Sequence, residues 1–89
     1  MTTDFTWTRP RLRVLRALST ADSPLWAVEL ARTLGMSHGT VYDTFRRLYD
    51  VGWAVGITED NTGKGRPARV MYRLTERGRT EAATLLGET

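Results

Sequence analysis

The chain has 89 residues, 40% of them hydrophobic and 26% charged, a length and composition that fit one compact domain rather than two. It contains no cysteine, which excludes a disulfide framework and a thiolate zinc site, and no apolar run approaches the ~20 residues that span a bilayer. The formal charge of +3 is segregated: Arg9, Arg11, Arg13 and Arg16 outnumber Asp4 in residues 1–16, and Arg46, Arg47, Lys64, Arg66, Arg69 and Arg73 outnumber Asp50, Glu59 and Asp60 in residues 46–74. Such clustering suits a polyanionic partner, and all the cations but Lys64 are arginine, the residue fitted to bidentate contacts with phosphate and guanine. Residues 1–7 lack the basic start and apolar run of a secretion signal, so they are expected to form a flexible segment ahead of a single domain over 8–89, in the cytoplasm and away from membranes.

Thr8 can cap a first helix, with Pro10 tolerated in the first turn because the N–H it lacks has no partner there. Leu12, Leu15 and Leu18 supply its apolar stripe through about Ser19, while Arg9, Arg13 and Arg16 fall on another face. "STADSP" (Ser19 to Pro24) breaks the pattern. A second helix starts at Trp26 or Ala27, turns Leu30, Ala31 and Leu34 inward and ends at Gly35, well placed for a left-handed cap. Ser37 then caps a third helix, "SHGTVYDTFRRL", which runs to about Asp50 before Gly52. Val41, Phe45 and Leu48 form its buried stripe, and its other face carries Gly39, Thr40, Asp43, Arg46 and Arg47, small at the first turn and cationic later.

Alternation places Trp53, Val55 and Ile57 on one side of a strand, and Val70, Tyr72 and Leu74 on one side of another. The two strands make a hairpin whose loop, "EDNTGKGRPA", is polar and long enough to project. Thr75 caps a last helix with Ala82, Leu85 and Leu86 as its apolar side. The order is helix, helix, helix, strand, wing, strand, helix: a mainly α domain with a two-stranded β-hairpin wing, built around a helix-turn-helix.

"SPLWAVELARTLG", "SHGTVYDTFRRLYDVGW" and "GKGRPARVMYRLTERGR" resemble, in order and spacing, the winged helix-turn-helix domain of PadR-like transcriptional regulators. The combination of "GTVY", a "GRP" wing and "YRLTERGR" carries the resemblance, the last block being shared with MarR-like regulators. It implies a dimeric bacterial repressor whose third helix enters the major groove of duplex DNA while the wing touches the backbone. Asp43 and Thr44 depart from the proline and alanine usual in that family, and its long C-terminal dimerisation helices are expected to be absent or reduced to residues 75–89. Whether a small-molecule effector binds is left open.

Small residues at the first turn of the third helix let its free N–H groups approach the DNA, with Arg46 and Arg47 reaching flanking phosphates or a guanine. The candidate DNA-binding residues are therefore Ser37, His38, Gly39, Thr40, Tyr42, Asp43, Arg46 and Arg47 on that helix and Lys64, Arg66 and Arg69 in the wing. Tyr42 either contacts phosphate through its hydroxyl or flanks the core, and His38 serves local capping or a backbone contact. A lone histidine cannot build a metal site, "GKG" fails the phosphate-loop pattern, and no nucleophile and base can be named, so neither an enzyme nor a cofactor is expected. Phe5 and Trp7 with Ala82, Leu85 and Leu86 are the candidate contacts of a weak homodimer. The rival readings are a DNA-bending accessory factor of a mobile element and a winged-helix module that binds protein alone.

Overall fold

A computed structural model describes residues 6–59, 65 and 69–87. Its elements are α1 (Arg9–Thr20), β1 (Leu25–Trp26), α2 (Ala27–Leu34), α3 (His38–Asp50), β2 (Ala54–Thr58), β3 (Val70–Leu74) and α4 (Glu76–Leu85). Each expected N-cap hydroxyl does its work: Thr8, Ser37 and Thr75 accept from the backbone N–H groups of Arg11, Thr40 and Gly78. Gly35 and Gly52 adopt positive φ, 66° and 83°, just past the ends of α2 and α3. At both, the next residue's N–H reaches back to a carbonyl of the last turn, Met36 to Ala31 at 3.0 Å and Trp53 to Leu48 at 2.8 Å, the paired closure that a left-handed residue permits.

The sheet contains a strand that the alternation did not announce. Its order is β1-β3-β2, all antiparallel, with Leu25 opposite Tyr72 and Trp26 opposite Met71, so the wing hairpin is anchored by a third, two-residue strand. Two residues are too few to show a period, and β1 exists because β3 offers it an edge. The register also reverses the side of β2 that is buried: Ala54 faces Leu74 and Gly56 faces Tyr72, while Val55 and Ile57 lie opposite Arg73 and Met71. Bulk on β3 explains this, because a side chain at Gly56 would already meet Val70 Cγ1 at 3.2 Å and the Tyr72 ring at 3.5 Å. Large residues fill the core from β3, and β2 supplies the small ones.

The core is built from Val14, Leu15 and Leu18 of α1, Leu30 of α2, Val41, Phe45 and Leu48 of α3, and Tyr72 and Leu74 of β3. Val14 takes the place expected of Leu12, which is only half-buried. Phe45 and Tyr72 pack with ring centroids 5.0 Å apart. Thr44, where an alanine is usual in PadR-like regulators, is wholly buried, and its hydroxyl donates to the Thr40 carbonyl at 2.8 Å, so its own polar atom is paired. The first turn of α4 sits on the chain entering β2: Thr75 N–H donates to the Trp53 carbonyl at 2.8 Å and its hydroxyl to the Gly52 carbonyl at 2.9 Å. Gly78 makes that approach possible, because a β-carbon there would overlap the Trp53 carbonyl oxygen.

Candidate nucleic-acid interface

With Val41, Thr44, Phe45 and Leu48 directed inward, the period of 3.6 residues leaves the opposite face of α3 outside. Ser37, His38, Gly39, Tyr42, Asp43 and Arg46 are exposed, and Thr40 and Arg47 half-buried. The N-terminal turn is ordered twice over, since Ser37 Oγ lies 3.1 Å from the Thr40 N–H and 2.8 Å from the Thr40 hydroxyl. A β-carbon at Gly39 would meet nothing within 4 Å, and its φ is not positive, so no contact among the described residues requires a glycine there.

One turn on, Arg46 Nη1 donates to the Tyr42 hydroxyl at 3.4 Å. That hydrogen bond, ahead of the coulombic influence of Tyr42 and Asp50, pushes the guanidinium pKa further above an ordinary arginine value that already keeps it cationic. Tyr42, 44% exposed, stands outside the core, beside the His38 ring at 6.0 Å and with its hydroxyl against the Arg46 guanidinium. Arg46 and Tyr49 also border a shallow cleft running from α3 to Thr58 and Val70 of the wing strands. Tyr49, 53% exposed, was missed as a candidate, although Tyr42, Arg46 and Tyr49 follow the same i, i+4, i+7 spacing that identified the buried stripe.

A second missed residue is Arg11. It reaches from the first turn of α1 to Asp43, with Nη2 3.7 Å from Oδ2, and lines an open cleft with Thr8, Ser37, Gly39 and Thr40. No local signal could have paired them, because their proximity is set by how α1 packs on α3. Arg13, from the basic face of α1, donates to the Leu34 carbonyl at the end of α2 at 3.1 Å.

The remaining candidates are placed unevenly. Arg69 is held at the base of the wing, its Nε 3.4 Å from Glu59 and its guanidinium 4.2 Å from the Trp26 ring centre, which gives it a structural partner on each side. Lys64, Arg66 and Phe5 lie outside the described residues. Trp7 stacks on Trp53 of its own chain, centroids 6.1 Å apart. Ala82 is 0% exposed and belongs to the core, Leu86 is half-buried against it, and Leu85 is 40% exposed. Among the described residues no cluster of metal-binding side chains occurs and no helix is long and apolar enough to cross a membrane.

Solved structures share this architecture. A PadR-like transcription factor from Bacteroides fragilis superposes with a TM-score of 0.72 at 20% identity, over 86% of this chain and 76% of its own. A mutant of ZitR from Lactococcus lactis gives 0.69 at 17% identity over 99% of this chain, and a MarR family protein from Mycobacterium tuberculosis 0.65 at 28% identity over 91%. The chain spans just over half of the latter two, 56% and 53% of their lengths. No curated protein matches it. The model of the transcriptional regulator PadR-like family matches residues 26–84, from the N-cap of α2 almost to the end of α4. The fold is thus a winged helix-turn-helix, and the chain belongs to the PadR-like family, a family of transcriptional regulators rather than enzymes.

Proposed function

We propose that the protein is a sequence-specific repressor that binds duplex DNA as a weak homodimer and acts by occluding a promoter in the cytoplasm. The exposed side of α3 enters the major groove, Arg46 and Tyr42 hold a phosphate beside it, and Lys64 and Arg66 follow the backbone from the wing. The observation that carries the reading is Gly39. It sits in the first turn of α3 where a β-carbon would meet no described residue, which leaves a bare, exposed backbone open to a partner at close range and so supports the reading.

The test is Gly39→Ala. The substitution is expected to stabilise the folded domain by roughly 0.5–1 kcal/mol, because alanine is the better helix former. Affinity for the preferred duplex is expected to fall about tenfold, the equivalent of one lost contact of ~1.4 kcal/mol. A variant that melts higher and binds DNA as well as the parent overturns the assignment of this turn to the groove.

A further inference from the structure

Asp43 places a negative charge in the middle of the surface that is to meet a polyanion. It lies one turn beyond Gly39 and Thr40 and one turn before Arg46 and Arg47, with its side chain 67% exposed. Unless it is compensated, a carboxylate there repels phosphate and weakens binding to every sequence alike. It is compensated: its Oδ2 lies 3.7 Å from Nη2 of Arg11, whose Nη1 donates to the Thr6 carbonyl and whose side chain is only 27% exposed. The guanidinium is thus held by the chain leading into α1 and presents one edge to α3. Arg11 is the sole hydrogen-bond or ion-pair partner of Asp43 among the described residues, so Oδ1 keeps its acceptor capacity.

We infer that Asp43 selects a cytosine in the major groove by accepting a hydrogen bond from its N4 amino group, with Arg11 as the positioning residue that aims the carboxylate and cancels its charge. This rests on the reading of α3 as the groove-entering helix. The choice of base follows from what an ionised carboxylate lacks, which is a donor. Guanine presents two acceptors, N7 and O6, and thymine presents O4, so each sets oxygen or nitrogen lone pairs against the carboxylate. Adenine offers the N6 donor but sets its N7 acceptor beside it, an edge matched by an amide rather than a carboxylate. Cytosine offers the donor without that neighbouring acceptor. An ion pair this exposed contributes little to folding, so a mere tether between α1 and α3 would leave base preference untouched.

The experiment uses the full chain, first to select sites from a randomised duplex pool and then to measure competition binding for five variants. The wild type is expected to select a cytosine at one position of each half-site, with other bases there binding about tenfold weaker. D43A is expected to lose that discrimination, and D43N to move it to adenine, which an amide contacts at N6 and N7. R11A should weaken binding to all sequences and blunt the cytosine preference, R11K should restore most of both, and R11A in the D43A background should cost nothing more. If D43A and D43N select the same sequence as the wild type at every position, the inference is overturned. If the loss caused by R11A persists undiminished in the D43A background, Arg11 touches DNA directly and its positioning role is overturned. A wild type that selects no sequence from the pool instead overturns sequence-specific DNA reading, and this inference with it.

Discussion

Gly39 and Gly78 both lie inside helices, where glycine costs about 0.5–1 kcal/mol relative to alanine, yet their surroundings are opposite. The space around Gly39 is empty, whereas a β-carbon at Gly78 would strike the backbone of Trp53. A clash with backbone cannot be relieved by turning a rotamer, so Gly78→Ala is expected to destabilise the domain by roughly 1–3 kcal/mol. For a domain of this size each kcal/mol lowers Tm by about 4–8 °C, so a thermal melt reads the effect directly. The sequence shows both glycines equally, and only the packing of α4 on the residue before β2 tells them apart. Tyr72 makes a related point about burial. Enclosure raises its phenol above the ordinary tyrosine value, so the folded state prefers the proton more than the unfolded one does. Stability from this group is complete below that ordinary value and is lost as pH rises through the folded one. Tyr72→Phe is therefore expected to flatten the alkaline limb of a stability-versus-pH curve, and an unchanged limb would locate the loss elsewhere.

At the scale of elements, the helices were legible because their ends are written in local chemistry. Thr8, Ser37 and Thr75 each close a first turn with one hydroxyl, and Gly35 and Gly52 each end a helix with a left-handed backbone. Ser37→Ala is expected to cost about 1 kcal/mol by freeing the Thr40 N–H, visible as a lower denaturation midpoint. What stayed hidden depends on partners distant in sequence. β1 is defined by the edge of β3, the buried side of β2 by the bulk of Tyr72, and the employment of Arg69 by Trp26 and Glu59. Arg69 stands among the DNA-binding candidates of the wing, and the sequence gives the sign of its side chain but not the Glu59 and Trp26 beside it. The candidate site divides in the same way: helical spacing laid out the α3 face, and only tertiary packing brought Arg11 to it. The two basic elements are expected to work differently on DNA. Lys64→Ala with Arg66→Ala should weaken all sequences alike, whereas Thr40→Ala should change which sequence is preferred. Selection experiments giving the reverse pattern would exchange the roles of helix and wing.

For the whole molecule, the proposed homodimer raises the issue of how two copies would meet. Helix-turn-helix dimers address half-sites about 10 base pairs apart, which favours two-fold symmetry. Ala82 is enclosed in its own core and Trp7 is occupied by Trp53 of the same chain, which leaves Leu85 as the most exposed apolar side chain of the last helix. On its own such a patch is smaller than the ~1,200 Å² of a stable interface, so the proposed dimer needs contacts beyond Leu85. Leu85→Glu is expected to leave the domain folded and shift it towards monomer in a sedimentation concentration series, and an unaffected dimer would move the contact elsewhere. A dimer neutralising about eight phosphates should lose affinity with a log–log salt slope of roughly −7. A flat dependence would point to a protein partner in place of DNA.

The three indoles of the chain fall into two settings, and that makes the domain its own optical instrument. Trp7 and Trp53 are stacked 16° from parallel where the N-terminal segment crosses the start of β2, whereas Trp26 lies beneath the Arg69 guanidinium at the foot of the wing. Emission from Trp26, isolated in a Trp7→Phe, Trp53→Phe double variant, should respond when the wing is drawn onto a duplex. In a Trp26→Phe variant the stacked pair emits alone, and removal of residues 1–7, which takes Trp7 away, should leave Trp53 as the remaining emitter and shift its emission to the red as it loses its cover. One fluorimeter trace per variant would then follow wing engagement and N-terminal docking as separate events, without any attached dye.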